Sequence, residues 1–339
     1  MTRVVVASAP GKIVLSGEYA VLDGAPAIVM AVDRRARAAM TGIDGEISQV
    51  RAPGYTNEIG RFTSLDGDVR WLNGQALFSL VDAGLRVADA LRSGAQLIDL
   101  DTSDFINAER RRKIGIGSSA ALTVALCAAI QGSTDIGVIM DVAQRAHVDL
   151  QGGAGSGVDI ACSLSGGLIE YRMEGTSVSK LDWPEGLSYR VIWTGIAAST
   201  RDKLMKLNAG TRLPSRERLV GASEAMADVW KSGVADRIIE EYRRYNEQLR
   251  QFSVDHDLGI FDAGHEEIWC AAGDVDLSYK PCGAGGGDVG IVFGTEDAVL
   301  DSFIEGLETK HVLLDCRLSR VGAMIERSKE ELIQDTTLA

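Results

Sequence analysis

The stretch that decides the fold is Lys-Ile-Gly-Ile-Gly-Ser-Ser-Ala-Ala at residues 113–121, which continues in small and apolar residues to Ile130. A run that is apolar on nearly every face predicts a helix buried at the centre of a domain. The hydroxyls of Ser118 and Ser119 suit the N-cap positions of this helix, where backbone N–H groups need acceptors. Glycines before a helix start also suit phosphate binding, because free N–H groups and the positive dipole end face the ligand. Taken alone, the same residues could form only a tight strand-to-helix turn.

Two further glycine-rich segments each lead to an aspartate. Residues 283–288 are Gly-Ala-Gly-Gly-Gly-Asp, which suits a backbone lying against a ligand or another loop, with a flexible hairpin connection as the alternative. Residues 151–159 are Gln-Gly-Gly-Ala-Gly-Ser-Gly-Val-Asp, and they lead into an apolar helix or strand at 160–164. Asp159 could cap that element, or it could orient an acceptor and take its proton in phosphoryl transfer.

A fourth segment, Ala-Pro-Gly-Lys-Ile-Val-Leu-Ser-Gly-Glu-Tyr-Ala-Val-Leu, occupies residues 9–22. The β-branched runs at 3–8 and 12–15, on either side of Pro-Gly, predict strand, turn and strand. Lys12 is a point charge suited to a phosphate, although a surface lysine would look the same in isolation. Glu18 could contact substrate or metal.

Apolar periodicity predicts the remaining elements. Helices are expected at 75–91, 137–150, 217–230, 234–252 and 296–306, and strands at 27–32, 166–172, 189–194, 288–293 and 311–314. Strands and helices interleave without a regular βαβ rhythm, which favours an α+β fold. The stretch 174–186 is polar and contains glycine and proline, so we predict an N-terminal domain at 1–185 and a C-terminal domain at 186–339.

The composition argues against several classes of protein. A net charge of −13 and a pI near 4.9 argue against a nucleic-acid partner. The run Arg-Arg-Arg-Lys at 110–113 could hold an anionic substrate or could be a solvated basic loop. No stretch approaches the roughly 20 apolar residues of a membrane helix. Five widely spaced cysteines without a C-x-x-C pair are typical of reduced thiols, so we expect a cytoplasmic protein with no membrane partner.

Taken together and in this order, the four segments resemble the GHMP kinases, and the resemblance spans nearly the whole chain. The pattern is P-G-K-x-x-x-x-G-E-Y-A-V-L, then G-I-G-S-S-A-A, then G-S-G-V-D, then G-A-G-G-G-D. The resemblance implies a GHMP kinase fold, with an N-terminal domain like ribosomal protein S5 domain 2, a ferredoxin-like C-terminal domain, and an active site between them.

Three segments are similar to those of phosphomevalonate kinases within the family. They are Ala143–Gly152, Trp193–Thr200 and the aspartate at position 288, where mevalonate kinases usually carry another glycine. The resemblance implies ATP-dependent phosphorylation of 5-phosphomevalonate to 5-diphosphomevalonate, in the mevalonate route to isoprenoids. Mevalonate kinase is the nearest alternative. A related decarboxylase usually has A-S-S-A where this chain has Gly117–Ala120, and a non-catalytic GHMP-fold binding protein should have lost Lys12 or Asp159.

The resemblance also assigns site residues and cofactors. It makes Lys12 and Asp159 the catalytic pair and implies ATP and Mg²⁺, with Mg²⁺ near Ser118 or Ser119. ATP would lie on Lys113, Gly115, Ile116, Gly117, Ser118, Ser119 and Ala120. The phosphate and substrate set is Glu18, Ser156, Gly157, Ser199, Gly283, Ala284, Gly285, Gly286, Gly287 and Asp288. Our own inference from charge adds Arg201 and Lys203, which are placed to bind a second anionic group, although ordinary surface charges would look the same.

One position departs from the family pattern. Mevalonate kinases place a glutamate ahead of the catalytic aspartate as a metal ligand, whereas this chain offers His147 and Asp149. The carboxylate that holds Mg²⁺ is therefore left open, and His147 is expected to be a structural hydrogen-bonding residue. A small-molecule substrate is the expected partner, and the chain would act as a monomer or homodimer.

Overall fold

The computed structural model describes residues 4–65, 68–87, 94–151, 155–307 and 311–328. The strands are β1 (Val4–Ser16), β2 (Ala27–Gly42), β3 (Ser48–Arg51), β4 (Gly60–Leu65), β5 (Asp68–Asn73), β6 (Gln96–Asp101), β7 (Ile106–Asn107), β8 (Arg112–Lys113), β9 (Leu168–Arg172), β10 (Ser177–Leu181), β11 (Ser188–Trp193), β12 (Ser278–Pro281), β13 (Val289–Gly294), β14 (Val312–Leu314) and β15 (Met324–Ser328). The α-helices are α1 (Ser79–Val87), α2 (Ser118–Gln131), α3 (Ile136–Gln151), α4 (Val158–Ser165), α5 (Thr200–Ala209), α6 (Pro214–Ser232), α7 (Ala235–Asp255), α8 (His265–Gly273) and α9 (Asp297–Glu305). Strands and helices mix without a βαβ repeat, which confirms the α+β prediction.

The larger sheet is built around the long antiparallel pair of β1 and β2. Its order is β10-β9-β2-β6-β3-β4-β5, and β1 also pairs with β15 near the end of the described chain. Helices α2 and α4 pack on this sheet, and residues 120, 121 and 123–130 of α2 are all buried. The predicted central helix is therefore confirmed. It is buried on most faces because small residues let the sheet and neighbouring helices approach it closely.

The Pro-Gly of residues 10–11 is not the predicted turn. β1 runs continuously from Val4 to Ser16, with a bulge where Pro10 pairs with Arg35 and Gly11 with Val32. Proline lacks an N–H group and is tolerated at a bulge. Gly11 is needed there, since a Cβ would lie 2.6 Å from the Ile116 carbonyl oxygen. The bulge therefore brings Lys12 beside the glycine-rich turn before α2.

The smaller sheet has the antiparallel order β12-β13-β11-β14. Trp230 of α6, Tyr242 of α7 and Phe293 of β13 pack together beneath it, in a core that continues to Ile13 and Leu15 of β1. The predicted domain boundary at 185 falls between β10, which belongs to the larger sheet, and β11, which belongs to the smaller sheet. We keep that division as a proposal, with β15 returning to the larger sheet.

Helices α3, α6, α7 and α9 lie within a few residues of their predicted bounds, whereas α5 and α8 were not predicted. Helix α1 begins at Ser79 rather than 75, and residues 88–91 of that prediction lie outside the described residues. The element after Asp159 is a helix, α4, which settles the choice between helix and strand. Within the described ranges, no helix is both long and apolar enough to span a membrane.

Candidate active site

Lys12 and Asp159, which lie far apart in the chain, form an ion pair with 3.0 Å between Nζ and Oδ1. Lys12 follows the bulge of β1, and Asp159 stands in the first turn of α4, after Gly157 with φ +77°. Burial lowers the pKa of Lys12, but the charge of Asp159 and its hydrogen bond outweigh burial and raise that pKa above its ordinary value. Lys12 therefore stays a charged ammonium near neutral pH, held in place by Asp159.

The glycine-rich turn before α2 lies directly against Lys12. The Lys12 N–H donates to the Ile116 carbonyl oxygen at 2.9 Å. Gly117 precedes α2 with φ +83°, and a Cβ there would lie 3.0 Å from Lys12 Cε. The predicted serine N-cap is wrong, because Gly117 occupies the N-cap position and the described residues provide no side-chain cap for this helix start and no acid in its first turn. Its uncapped N–H groups, beside a lysine ammonium, form a site suited to phosphate oxygens.

His147 of α3 lines the same site, and its expected role as a structural hydrogen-bonding residue stays a prediction. It is buried, lies 3.4 Å through Nε2 from Ser119 Oγ, and lines the cleft with Lys12 and Asp159. Burial lowers the pKa of His147, the negative charge of Asp159 raises it, and the positive charge of Lys12 lowers it. The net result is a lowered pKa, so the imidazole is neutral near pH 7. Only the packing of α3 against α2 and α4 reveals this position.

A cleft of about 740 Å³, counted with its open mouth, extends from the ion pair. It is walled by residues from the N-terminal segment, α3, α4, α5 and the second glycine loop. Among them are Lys12, Glu18, Tyr19, His147, Ser156, Gly157, Asp159, Thr200, Gly283 and Ala284. Sequence analysis did not assign Tyr19 or Thr200. The Tyr19 hydroxyl donates to the Ala284 carbonyl oxygen at 2.7 Å and so joins two walls of the cleft.

A second pocket, with a volume of about 790 Å³, is lined by Ser118 and Ser119 and by several apolar side chains. Its walls include Pro53, Tyr55, Leu77, Phe78 and Leu122, and Lys113 Nζ lies 5.9 Å from the centre of the Tyr55 ring. Apart from Leu122 of α2, these residues come from a loop and from the approach to α1, where no motif marks them. The pocket can bury a flat heterocycle beside a phosphate site.

Glu18 is buried in an ion pair with Lys280, which is itself fully buried. Its other carboxylate oxygen accepts from the Tyr245 hydroxyl at 2.7 Å. Lys280 also donates to the Pro281 carbonyl oxygen at 2.6 Å. Glu18 therefore joins the segment after β1 to β12 and α7, and its predicted contact with substrate or metal stays a prediction.

The second glycine loop, Gly283–Gly287, ends at Asp288, which faces the first glycine-rich turn. A Cβ on Gly115 would overlap the Asp288 carboxyl. Burial raises the Asp288 pKa, the Ala198 N–H and Lys12 lower it, and the balance is a pKa of about 6. The structure thus brings Gly115, Lys12 and Asp288 together, as their shared assignment to one site requires.

The predicted anion contacts on α5 differ in their surroundings. Ser199 caps the helix, accepting from the Asp202 N–H at 3.3 Å. Lys203 Nζ donates to the carbonyl oxygens of Leu258 at 2.7 Å and Gly259 at 3.1 Å. Arg201 is exposed and has no ion pair within the part of the chain that the structure describes. Arg201 is thus open to a ligand, whereas two of the three Lys203 donors already bind protein.

Two predicted positions bind protein groups. Ser156 Oγ accepts from the Val158 N–H at 3.4 Å, and a Cβ on Gly157 would lie 2.5 Å from Gln144 Nε2. The basic run before the first glycine turn also contacts protein: Arg110 stacks over Trp193 at 5.5 Å, and Arg112 donates to the Gly195 carbonyl oxygen at 3.1 Å. Part of that run therefore fastens β8 to the end of β11.

The described residues contain no cluster of three or more histidine, cysteine, aspartate or glutamate side chains able to hold a metal alone. A divalent cation that also binds phosphate oxygens needs fewer protein ligands. The Ser118 and Ser119 hydroxyls and the Asp159 carboxylate are oxygen donors of the kind that Mg²⁺ prefers. Asp159 Oδ2 has no hydrogen bond to any residue in the described ranges, so it can serve as such a ligand.

Comparison with known proteins agrees with this geometry. The sequence profile of the GHMP kinases N terminal domain matches residues 84–167. A phosphomevalonate kinase from Streptomyces sp. strain CL190 is 31% identical, over 88% of this chain and 92% of that protein. A mevalonate kinase from Pyrococcus abyssi is 27% identical over 85% of this chain and 88% of that protein. The Streptococcus pneumoniae phosphomevalonate kinase, solved with phosphomevalonate and AMPPNP, has the same fold, with a TM-score of 0.75. It is 18% identical in sequence, and the match covers 92% of this chain and 99% of that one.

Proposed function

The chain belongs to the GHMP kinase family, and we propose that it uses ATP to phosphorylate 5-phosphomevalonate, giving 5-diphosphomevalonate and ADP in the mevalonate route to isoprenoids. The observation that carries this proposal is the Lys12–Asp159 ion pair of 3.0 Å beside the uncapped start of α2. A relative that matches most of this chain is named for that activity. The proposed reaction needs a phosphate site, a fixed cation and a carboxylate at one point, and all three occur there.

The residues present fit ATP. Its phosphates would lie on the N–H groups of residues 115–120, with Gly117 giving the close approach that a side chain would block. Its base would enter the apolar pocket of Tyr55, Leu77 and Phe78, beside Lys113. Ser118 and Ser119 line that pocket, and Lys12, which lies against Gly117, lines the substrate cleft, so the γ-phosphate would point toward Lys12.

The residues present also fit Mg²⁺, with Ser118 or Ser119 and Asp159 Oδ2 as ligands. When bound, the ion would neutralise negative charge on the phosphoryl oxygens. His147, neutral and near Ser119 Oγ, would help to orient that hydroxyl.

The protein's own part in the reaction is positioning and charge. A phosphate oxygen of the substrate attacks the γ-phosphorus, the bond from that phosphorus to the bridging oxygen breaks, and ADP leaves. Since a phosphate monoester has its second pKa near 6, the attacking oxygen is largely ionised and needs no strong base. Lys12, fixed in place by Asp159, would then hold the acceptor oxygen in line, and its charge would stabilise the transferring phosphoryl group.

Mevalonate is the second candidate substrate, and one observation favours it. Lys12 supplies the single cation among the described residues that line the cleft, and Asp159 already pairs with it. A substrate without phosphate would need no further cation. For such an alcohol, Asp159 would have to accept the hydroxyl proton. On the 5-phosphomevalonate proposal, Arg201 and the third donor of Lys203 would hold the substrate's phosphate.

We propose that the protein works in the cytoplasm as a monomer or homodimer. The five cysteines are all free, and four of them are buried, as expected of thiols in a reducing compartment.

The test offers Mg-ATP with mevalonate, 5-phosphomevalonate, 5-diphosphomevalonate, homoserine or galactose and measures ADP release. We expect turnover with 5-phosphomevalonate, and a fall of about 10³-fold in kcat for Asp159→Asn. Asp149→Asn, an exposed carboxylate on α3, is the matched control and should keep its activity. Turnover with mevalonate in place of 5-phosphomevalonate would replace the substrate proposal, and equal activity of the two variants would overturn the role of Asp159.

A further inference from the structure

His265, the first residue of α8, is a fully buried histidine beneath the second glycine loop and outside the cleft. Its Nε2 lies 2.9 Å from the Gly287 carbonyl oxygen, and its Nδ1 lies 2.6 Å from the Tyr279 hydroxyl. Nothing in the proposed reaction uses this ring. A buried imidazole with both nitrogens bonded has one fixed orientation.

These two partners also fix the tautomer of His265. A carbonyl oxygen can only accept, so Nε2 must carry the hydrogen. The Tyr279 hydroxyl then donates to Nδ1. Burial, the largest cause, lowers the pKa of His265 to about 4, which keeps the ring neutral at pH 7. Tyr279 therefore selects the tautomer that binds the glycine loop.

The sequence makes room for this arrangement at Gly290. A Cβ on Gly290 would overlap the Tyr279 hydroxyl, which reaches His265 across β13. Tyr279 itself is buried in β12. The glycine that follows the loop in sequence thus admits the side chain that orients His265.

The position of the Gly287 carbonyl also fixes the backbone of Asp288, because that carbonyl and the Asp288 N–H belong to one planar peptide unit. With its N–H, Asp288 donates to the Ile196 carbonyl oxygen at 2.6 Å, and its own carbonyl accepts from the Thr194 N–H at 3.0 Å. Asp288 has φ +55°, a left-handed conformation that a side chain adopts at some cost. Its carboxyl packs against Gly115, the residue that begins the phosphate site. A shift of the Gly287 carbonyl would therefore move the group that holds Gly115.

We propose that His265 is a positioning residue of this kinase, which fixes the Gly287 carbonyl and thereby places the Asp288 side chain against Gly115 of the ATP phosphate site. Tyr279 is its orienting partner, and Gly290 gives Tyr279 its space. This inference rests on the proposed kinase function. It means that the C-terminal sheet affects nucleotide binding through contacts that run from His265 to Gly287, Asp288 and Gly115 and do not include the substrate.

The experiment measures the Kd of AMPPNP with no acceptor present, and the KM values for ATP and acceptor, in His265→Leu, His265→Gln and Tyr279→Phe. Gln can still donate to the Gly287 carbonyl, whereas Leu cannot. We expect His265→Leu to raise Kd and the KM for ATP about tenfold, and Tyr279→Phe about threefold. His265→Gln should return Kd to within about threefold of the wild type. The KM for the acceptor should change less than about twofold in all three, because the cleft is untouched.

The matched control is Tyr242→Phe, which removes another buried hydroxyl, bonded to the Leu15 carbonyl oxygen at 3.1 Å. It should lower thermal stability as Tyr279→Phe does and leave the Kd of AMPPNP unchanged. If Tyr279→Phe and His265→Leu lower stability without weakening AMPPNP, the inference is overturned. If the wild type binds AMPPNP but phosphorylates none of the acceptors, the substrate proposal fails instead, while the nucleotide Kd still decides the role of His265.

Discussion

The two glycine loops look alike in sequence and differ in what their glycines face. In the first loop, Gly115–Gly117, a Cβ would meet side chains of the site itself, the Asp288 carboxyl at Gly115 and the Lys12 stem at Gly117. In the second, Gly283–Gly287, the last three glycines face backbone carbonyl oxygens of neighbouring segments, and Gly286 also faces Lys203 Nζ. A Cβ would lie 2.6 Å from the Ile260 carbonyl oxygen at Gly285, 2.5 Å from that of Gly259 at Gly286, and 2.7 Å from that of Ile196 at Gly287.

Glycine therefore serves two purposes here. The first loop uses it to bring catalytic and ligand groups close to a helix start. The second loop uses it to pack backbone on backbone, which gives Asp288 a rigid support. Gly283 is the exception within the second loop, since no described atom lies within 4 Å of a Cβ placed there. Gly283 lines the cleft, so the first part of the loop borders the ligand site, whereas the last three glycines pack on the protein backbone.

The largest expected effect follows from replacing Gly285. At φ +67° an alanine is strained, and its methyl group would also crowd Ile260, so we expect Gly285→Ala to lower the free energy of unfolding by roughly 3 kcal/mol. Gly283→Ala is the control, with φ +65° and open space, and should cost only about 1 kcal/mol. Urea titration measures both. Equal losses would break the comparison, because backbone packing would then contribute nothing.

A smaller effect concerns the carboxyl that joins the two loops. The folded pKa of Asp288, about 6, lies above its ordinary value of 3.8, so the folded state binds the proton more tightly than the unfolded state does. This group's stabilising contribution is complete below pH 3.8 and is lost as the pH rises through 6. We expect Asp288→Asn to be about 1 to 3 kcal/mol more stable than the wild type at pH 8, and equal to it at pH 4.

Urea titrations of both proteins at several pH values test this. A difference that does not depend on pH would show that the amide acts by packing alone. Gln would be a poor substitute for Asn, because the extra methylene would crowd Gly115.

The smallest expected effect is at Lys203, which binds the segment on which the second loop packs. Lys203→Met keeps the stem and removes two hydrogen bonds to the carbonyl oxygens of Leu258 and Gly259, so stability should fall by about 1 to 2 kcal/mol. Arg201→Met, on the same helix and exposed, should not change stability. It should instead raise the KM for 5-phosphomevalonate severalfold. The reverse pattern, with Arg201 affecting stability, would contradict both assignments.

Much of the site was predictable because its parts are short segments with their own chemistry. The glycine-rich start of the buried helix at Ser118, the lysine after Pro-Gly and the aspartate after Gly-Ser-Gly-Val could each be named before the fold was known. The apolar pocket at Tyr55 and Phe78 could not, because ordinary hydrophobic residues in loops carry no motif. His147 was named but not placed in the cleft, since a helix sequence does not show which neighbour its side chain will face.

The sequence by itself determined the α+β class, the buried helix α2, the family and the residue types of the phosphate site. These depend on composition, periodicity and short motifs, which neighbours along the chain decide. Only the tertiary structure decided that residues 10–11 form a bulge rather than a turn, that Glu18 is buried against Lys280, and that Asp288 rests on Gly115. Each of those depends on the register of paired strands and on the space between segments far apart in sequence, which local propensity cannot specify.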